Sequence, residues 1–162
     1  MLDALQRGLP FWVVGSWGVD ALLGSTRLRK DLDLLIGVRG HEPAWQLLHE
    51  LGFQLAYRWE ENVDLPGAFI DGDVQPTAYV LEDPSGRQVD IHVVDDRRPQ
   101  VTPLWSSDRP FVPGALDGSG VIATVPVRCM SVRMQLLAHE GYELPSAQRA
   151  DVAILEQLLD PP

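Results

Sequence analysis

The stretch Asp31-Leu32-Asp33-Leu34-Leu35-Ile36, with Phe11-Trp12-Val13-Val14-Gly15-Ser16 upstream of it, decides the fold. Acid and aliphatic residues alternate over Asp31 to Ile36, the period-2 pattern of a strand with one polar and one apolar face. Asp31 and Asp33 then point one way, while Leu32, Leu34 and Ile36 point the other way, into a core. Upstream, the apolar run Phe11 to Val14 ends at Gly15, as a buried strand does. Trp17, Val19, Leu22 and Leu23 recur at helical spacing until Gly24, so a short helix leaves that strand directly.

Working outward, Leu2 to Arg7 reads as a short helix running into Gly8. Glu42 to Leu51 is an amphipathic helix closed by Gly52. Phe53 to Tyr57 and Thr77 to Leu81 are strands separated by the acidic loop Trp59 to Pro76. Asp83-Pro84-Ser85-Gly86 is a turn, from which Val89 to Val94 pairs back as the second arm of a hairpin. Asp95 to Gly120, interrupted by Pro99, Pro103, Pro110 and Pro113, is mostly irregular, with one strand that the pattern does not place. Val121 to Val127 is a strand or short hairpin. Ser131 to Glu140 and Ser146 to Leu159 are helices, each with a serine near its N-cap. This order predicts an α+β chain with a mixed β-sheet flanked by helices and a helical C-terminal part.

The 162 residues form one domain, 1–162, with a core over 1–127 and C-terminal helices over 128–162. A 45% hydrophobic chain of this length builds a core without disulfides or structural metal. The single cysteine, Cys129, fits a reducing compartment. The N-terminus lacks the apolar run of a signal peptide and no segment is long enough to span a membrane. A cytoplasmic protein is expected. The formal net charge of −10 repels nucleic acid and attracts cations, whether metal ions or amine-bearing small molecules.

Three features carry chemistry together. Gly15-Ser16, at a strand-to-helix junction, lets a phosphate approach the backbone beside a helix N-terminus, where unpaired N–H groups and the positive dipole end lie. Asp31 and Asp33 put two carboxylates on one strand face, which repel unless a cation lies between them; oxygen ligands of this kind suit magnesium or manganese. In Val89-Asp90-Ile91-His92-Val93, Asp90 and His92 share the polar face, and Asp90 on a neighbouring strand completes the acidic set.

Gly15-Ser16-Trp17-Gly18-Val19-Asp20-Ala21-Leu22-Leu23-Gly24, Thr26-Arg27 and Asp31-Leu32-Asp33 resemble the signature of the small antibiotic nucleotidyltransferases. These are the lincosamide nucleotidyltransferases and aminoglycoside 2″-adenylyltransferases of the DNA polymerase β-like superfamily. The resemblance continues through Gly86 to His92 and resumes in the C-terminal blocks around Val127-Arg128-Cys129, Gln135-Leu136-Leu137, His139 to Glu143 and Arg149 to Val152. It implies the nucleotidyltransferase fold and transfer of a nucleoside monophosphate, AMP first among the candidates, from an NTP to a hydroxyl of an aminoglycoside- or lincosamide-like antibiotic. It further implies that Asp31, Asp33 and Asp90 hold the catalytic metal, Mg2+ or Mn2+, and that Gly15 and Ser16 lie under the triphosphate of ATP or another NTP. The family reads Thr-Arg-Pro-His-Glu-Asp where this chain has Thr26-Arg27-Leu28-Arg29-Lys30-Asp31. Arg27, Arg29 and Lys30 thus become candidates for triphosphate contacts.

In such a reaction the acceptor hydroxyl attacks the α-phosphorus in line and pyrophosphate leaves, with metal ions on the attacking and leaving oxygens. Asp90 either ligates a metal or takes the acceptor's proton, and the sequence leaves both open. Glu60, Glu61, Asp64, Asp71 and Asp73 form a loop suited to a cationic acceptor. Asp20 reads as a first-turn acid answering the helix dipole. Asp151 reads as part of the packing and polar seams of the C-terminal helices, and the five tryptophans as core or rim. Other acceptors and roles remain: a protein partner of toxin–antitoxin type, an inactive nucleotide-binding scaffold, and a homodimer.

Overall fold

Strand β2 (Asp31–Gly37) forms where the alternation predicts it, with Leu32, Leu34 and Ile36 buried. The structure is a computed structural model. It describes all residues except 3, 4, 6–8, 26, 28, 30, 61, 65–68, 71, 72, 98, 107, 108 and 160–162, and describes only the backbone of 69, 70, 73, 74, 106 and 147. Much of the expected Leu2 to Arg7 helix lies outside the described residues, although Leu5 and Leu9 donate i→i−4 bonds to Met1 and Leu5.

The chain folds into two units that do not follow chain order: Met1–Phe11 with Lys30–Phe111, and Trp12–Arg29 with Val112–Pro162. In the first, four strands run in the order β3 (Gln54–Arg58), β6 (Ala78–Glu82), β7 (Gln88–Asp95), β2, and the short β8 (Thr102–Pro103) pairs with β7. β2 and β7 are parallel, and β6 is antiparallel to both β7 and β3. The β6–β7 hairpin turns where the sequence places it. Asp83 accepts from the amides of Ser85 and Arg87 and from the Arg87 guanidinium, which holds its carboxyl below the usual range.

Helix α2 (His41–Glu50) lies against β2, tolerating Pro43 in its first turn, where no intrahelical acceptor is needed. Its Ala44 and Leu48 are fully buried; a side chain the size of Leu48 contributes about 1.5–3 kcal/mol by burial. The core face carries Val89, Ile91 and Val93 from β7 and Tyr79 and Leu81 from β6, all buried. There the buried His41 places Nε2 2.9 Å from the Tyr79 hydroxyl, with Trp45 against the same Tyr79 ring. Burial pushes the His41 pKa down to about 4 and the Tyr79 phenol well above its ordinary value.

Two stretches of this unit hold elements that the sequence pattern did not place. Within the expected acidic loop, β4 (Phe69–Ile70) and β5 (Asp73–Val74) form a two-stranded ladder. In the proline-rich segment, β8 is followed by a 3-10 turn at Leu104–Ser106. Both are too short for alternation to show.

In the second unit, β1 (Phe11–Val13) pairs parallel with β10 (Val125–Cys129), which pairs antiparallel with β9 (Gly118–Ile122). The strand or hairpin expected at Val121 to Val127 is therefore a hairpin, longer at both ends. Helix α1 (Gly15–Leu23) ends in a Schellman motif: the Gly24 and Ser25 amides donate to Ala21 and Asp20, with Gly24 at φ 61°. Helix α3 (Val132–Ala138) is capped by Ser131, whose hydroxyl accepts from the Met134 amide. Helix α4 spans Ser146–Leu159. Ser146 is its first residue rather than its cap, and the Arg149 amide donates to the Pro145 carbonyl instead. Among the described residues no helix is long and apolar enough to cross a membrane.

Candidate functional site

Parallel pairing sets Asp31 opposite Gln88, and Asp33 opposite Asp90. Register partners on adjacent strands share a face, about 4.8 Å apart, and i,i+2 neighbours on one strand share it too. Asp31, Asp33 and Asp90 therefore occupy one face of the β2–β7 pair. Asp90 is 6% exposed, and Asp31 and Asp33 are half-buried. The donor set fits a hard divalent ion, being three carboxylates with a buried member, on strands stiffened by a full parallel ladder. As the side chains stand, no group of three or more His, Cys, Asp or Glu among the described residues is drawn together tightly enough to hold an ion.

The same face continues across β6 to the edge strand. Val80 pairs with Asp90, and Tyr57 with Val80. A register shift between Leu55 and Tyr57 decides this arrangement. Leu55 lies opposite Leu81, on the core side of β6, whereas Tyr57 lies opposite Val80, on the carboxylate side. Trp59 extends the ladder by donating its amide to the Ala78 carbonyl. An open cleft of about 320 Å³ results, with Val80 and Ala56 beneath, Asp31, Gln88 and Asp90 at one end, and Tyr57 and Trp59 at the other. Gln88 is fixed by a 2.6 Å bond from its amide to Glu82. The aromatic end is braced: Tyr57 meets Trp59 edge-on at 5.4 Å, Trp59 stacks on His92 at 6.2 Å, and His92 meets Trp105 at 4.9 Å.

In the second unit, the turn into α1 is built for close approach. Val14 is extended, Gly15 takes φ 56°, a left-handed value that favours glycine, and among the described residues no side chain caps the first helical turn. Gly15 and Ser16 are half-buried. The buried Gln135 of α3 donates a long 3.4 Å bond to the Gly15 carbonyl. Gly18 makes room for it: a Cβ there would collide with the Gln135 amide and come within 2.9 Å of the Val13 carbonyl.

Arg27 and Arg29, put forward for the triphosphate, are engaged by carboxylates of their own unit. Arg27 reaches Asp20 through Nε at 2.7 Å and Nη2, and Asp151 through Nη1 at 2.6 Å. Arg29 donates to Asp20 at 2.7 and 3.0 Å and to Asp151 at 3.3 Å. The Arg27 side chain is 39% exposed and that of Arg29 is 12%. Burial alone would raise the Asp20 pKa, but bonds from Arg29 and then Arg27 outweigh it and hold the carboxyl below its usual range.

The first-turn reading of Asp20 is corrected. The helix starts at Gly15, so Asp20 lies in its middle, fully buried, and answers two guanidinium groups rather than the helix dipole. Asp151 does join a polar seam, and its partners are those arginines.

Thr26, Lys30, Glu61 and Asp71 lie outside the described residues, as does the Asp73 side chain. Of the remaining loop acids, Asp64 is exposed and 3.5 Å from Arg58, and Glu60 is exposed. Sequence reasoning missed Tyr57, Trp59, Val80 and Gln88 as cleft residues. Trp12 is core, with Arg128 4.8 Å over its ring.

A family model described as aminoglycoside-2″-adenylyltransferase matches residues 1–155. A lincosamide resistance protein of Staphylococcus haemolyticus is 22% identical over 173 residues, covering 98% of this chain and 91% of that protein. Among solved structures, the lincomycin-bound lincosamide antibiotic adenylyltransferase LnuA superposes with a TM-score of 0.73 at 21% identity, covering 97% of this chain and 92% of that one. The structure of ANT(2″)-Ia in complex with adenylyl-2″-tobramycin gives 0.68 at 21%, covering 98% and 84%. These likenesses agree with the mixed sheet and flanking helices expected from the sequence.

Proposed function

The chain belongs to the aminoglycoside-2″-adenylyltransferase family of antibiotic-modifying nucleotidyltransferases, and from that premise we propose that it moves an adenylyl group from ATP to a hydroxyl of a small, amine-bearing antibiotic, releasing pyrophosphate. The observation that carries this reading is the register of β2 on β7, which sets Asp33 beside Asp90 and Asp31 on the same face. These three residues would hold magnesium, or manganese in its place. When bound, such an ion stabilises the attacking and leaving oxygens of an in-line displacement.

The chain's own groups do the rest. Asp90 is assigned to the ion with Asp31 and Asp33, because its pairing with Asp33 makes the two carboxylates one site rather than a ligand and a separate base. Gly15 and Ser16 are assigned to the triphosphate, for which a left-handed glycine and an uncapped helix N-terminus offer amide donors and a positive dipole end. Arg27 and Arg29 support that site as a charge-compensated cluster. Arg27 is the more exposed, and so the one to exchange its Asp151 contact for a phosphate. The acceptor hydroxyl attacks the α-phosphorus and gives up its proton to solvent, the bond from that phosphorus to the oxygen bridging the β-phosphate breaks, and pyrophosphate carries the electron pair away. Because the donor is ATP, we place the reaction in the cytoplasm. The family match lends nothing to a protein acceptor or an inactive scaffold.

The test is acceptor-dependent release of pyrophosphate from ATP with magnesium, run beside Asp33→Asn. Loss of turnover with an unchanged melting temperature supports the assignment. A variant that keeps near-native turnover overturns it.

A further inference from the structure

The cleft carries more information than the acidic face alone. Its described lining has two carboxylates, one amide and two aromatic rings, and no lysine or arginine. With the ion on the carboxylates, the rest of the described lining offers a phosphate no cation, so the stretch beyond the ion does not suit a triphosphate. The occupant must be neutral or cationic. It must also reach from the carboxylates over Val80 to the sheet edge, since one register row joins Asp90, Val80 and Tyr57.

The far end suits a ring. Aromatic faces take the apolar face of a saturated ring or an ammonium group, and the negative face of an indole is the strongest of the protein rings for the latter. Trp59 is held in place: His92 stacks on it at a 25° interplanar angle, Trp105 backs His92, and Tyr57 meets it edge-on. Its indole N–H is buried without a hydrogen-bond partner among the described residues, and an oxygen of the occupant would give it one.

We propose that Trp59, with Tyr57 beside it, is the specificity-determining wall of the acceptor site, taking the ring of an amino-sugar-like acceptor whose reacting hydroxyl faces the carboxylate end. The inference rests on the adenylyltransferase reading, because the reacting hydroxyl must lie at the carboxylates while the rest of the acceptor lies along the cleft. Specificity then comes from ring shape and one or two charges, not from a polyanionic groove.

Steady-state kinetics with lincomycin and tobramycin as acceptors tests this. Trp59→Leu raises the acceptor KM by about tenfold and leaves the KM for ATP unchanged, Trp59→Phe restores most of the loss, and Tyr57→Ala, at a half-exposed position, gives a smaller rise in the same KM. If the KM for ATP rises instead, the wall stacks the nucleobase and the proposal falls. If neither KM moves, the aromatic cluster only braces the fold and the proposal falls.

A second measurement separates this outcome from failure of the family reading. In protein labelled with 5-fluorotryptophan, the Trp59 resonance, assigned by its loss in Trp59→Phe, shifts when lincomycin or tobramycin is added without nucleotide. An unmoved resonance contradicts the wall even if transfer is observed. A moved resonance without any transfer keeps the wall and discards the reaction.

Discussion

Acidification will destabilise this protein through one histidine. His41 is fully buried under the sheet, and burial lowers its pKa from 6.5 to about 4. The fold therefore refuses a proton that the unfolded chain accepts once the pH drops below 6.5. The stability tied to neutral His41 is complete above pH 6.5, declines as the pH falls through the window, and is gone near pH 4. At about 1.4 kcal/mol per pH unit, the full loss is about 3 kcal/mol, a large part of a typical folding free energy of about 5–15 kcal/mol. Urea denaturation at pH 7.5, 6.5, 5.5 and 4.5 reads this directly. The comparison that isolates it is His41→Gln, which keeps a polar partner for the Tyr79 hydroxyl but cannot titrate. Other groups titrate equally in both proteins, so the wild type should lose about one extra proton's worth of slope, about 1.4 kcal/mol per pH unit between pH 6 and 4.5. Parallel pH dependences in the two proteins would refute the reasoning.

Other outcomes follow from the same geometry. Asp90→Asn should lower kcat about a thousandfold or more, corresponding to several kcal/mol of lost transition-state stabilisation, while circular dichroism stays native; single-turnover kinetics checks it. Asp20→Asn should destabilise by about 3 kcal/mol in urea titration, because it leaves the nearly buried Arg29 with only its longer 3.3 Å contact to Asp151 as a charged partner. Arg27→Gln, at the more exposed arginine, should cost much less. Gly18→Ala should cost about 1–3 kcal/mol by overpacking, and Gln135→Ala in the same chain should recover part of it, since one of the two colliding groups is then gone. Cys129, buried and pushed up to about 11 by that burial, should resist a thiol reagent at pH 8 until denaturant is added.

What the sequence makes legible is whatever local periodicity encodes. Alternation over Asp31 to Ile36 and Val89 to Val93 is enough to put three acids and six aliphatics on opposite faces. The helix from Gly15 to Leu23 is readable from its flanking glycines and helical spacing. Long-range partners are not readable in this way. Arg27 and Asp151 are 124 residues apart, and only the folded second unit makes them neighbours. The aromatic end of the cleft was hidden by one backbone irregularity. Plain alternation would put Leu55 and Tyr57 on one face, and the register shift between them turns Tyr57 alone toward the carboxylates. Ser146 shows a smaller limit of the same kind, since a serine near a helix start does not reveal whether it is the cap or the first helical residue.

The most direct measurement is the mass of the drug after incubation. Lincomycin and tobramycin, each with ATP, magnesium and purified protein, would be followed by mass spectrometry beside the Asp33→Asn variant. The expected result is a single adenylyl addition to at least one of the two, present with the wild type and absent with the variant. Unmodified drugs with the wild type, or equal modification by both proteins, would contradict the assignment of Asp31, Asp33 and Asp90 to antibiotic adenylylation.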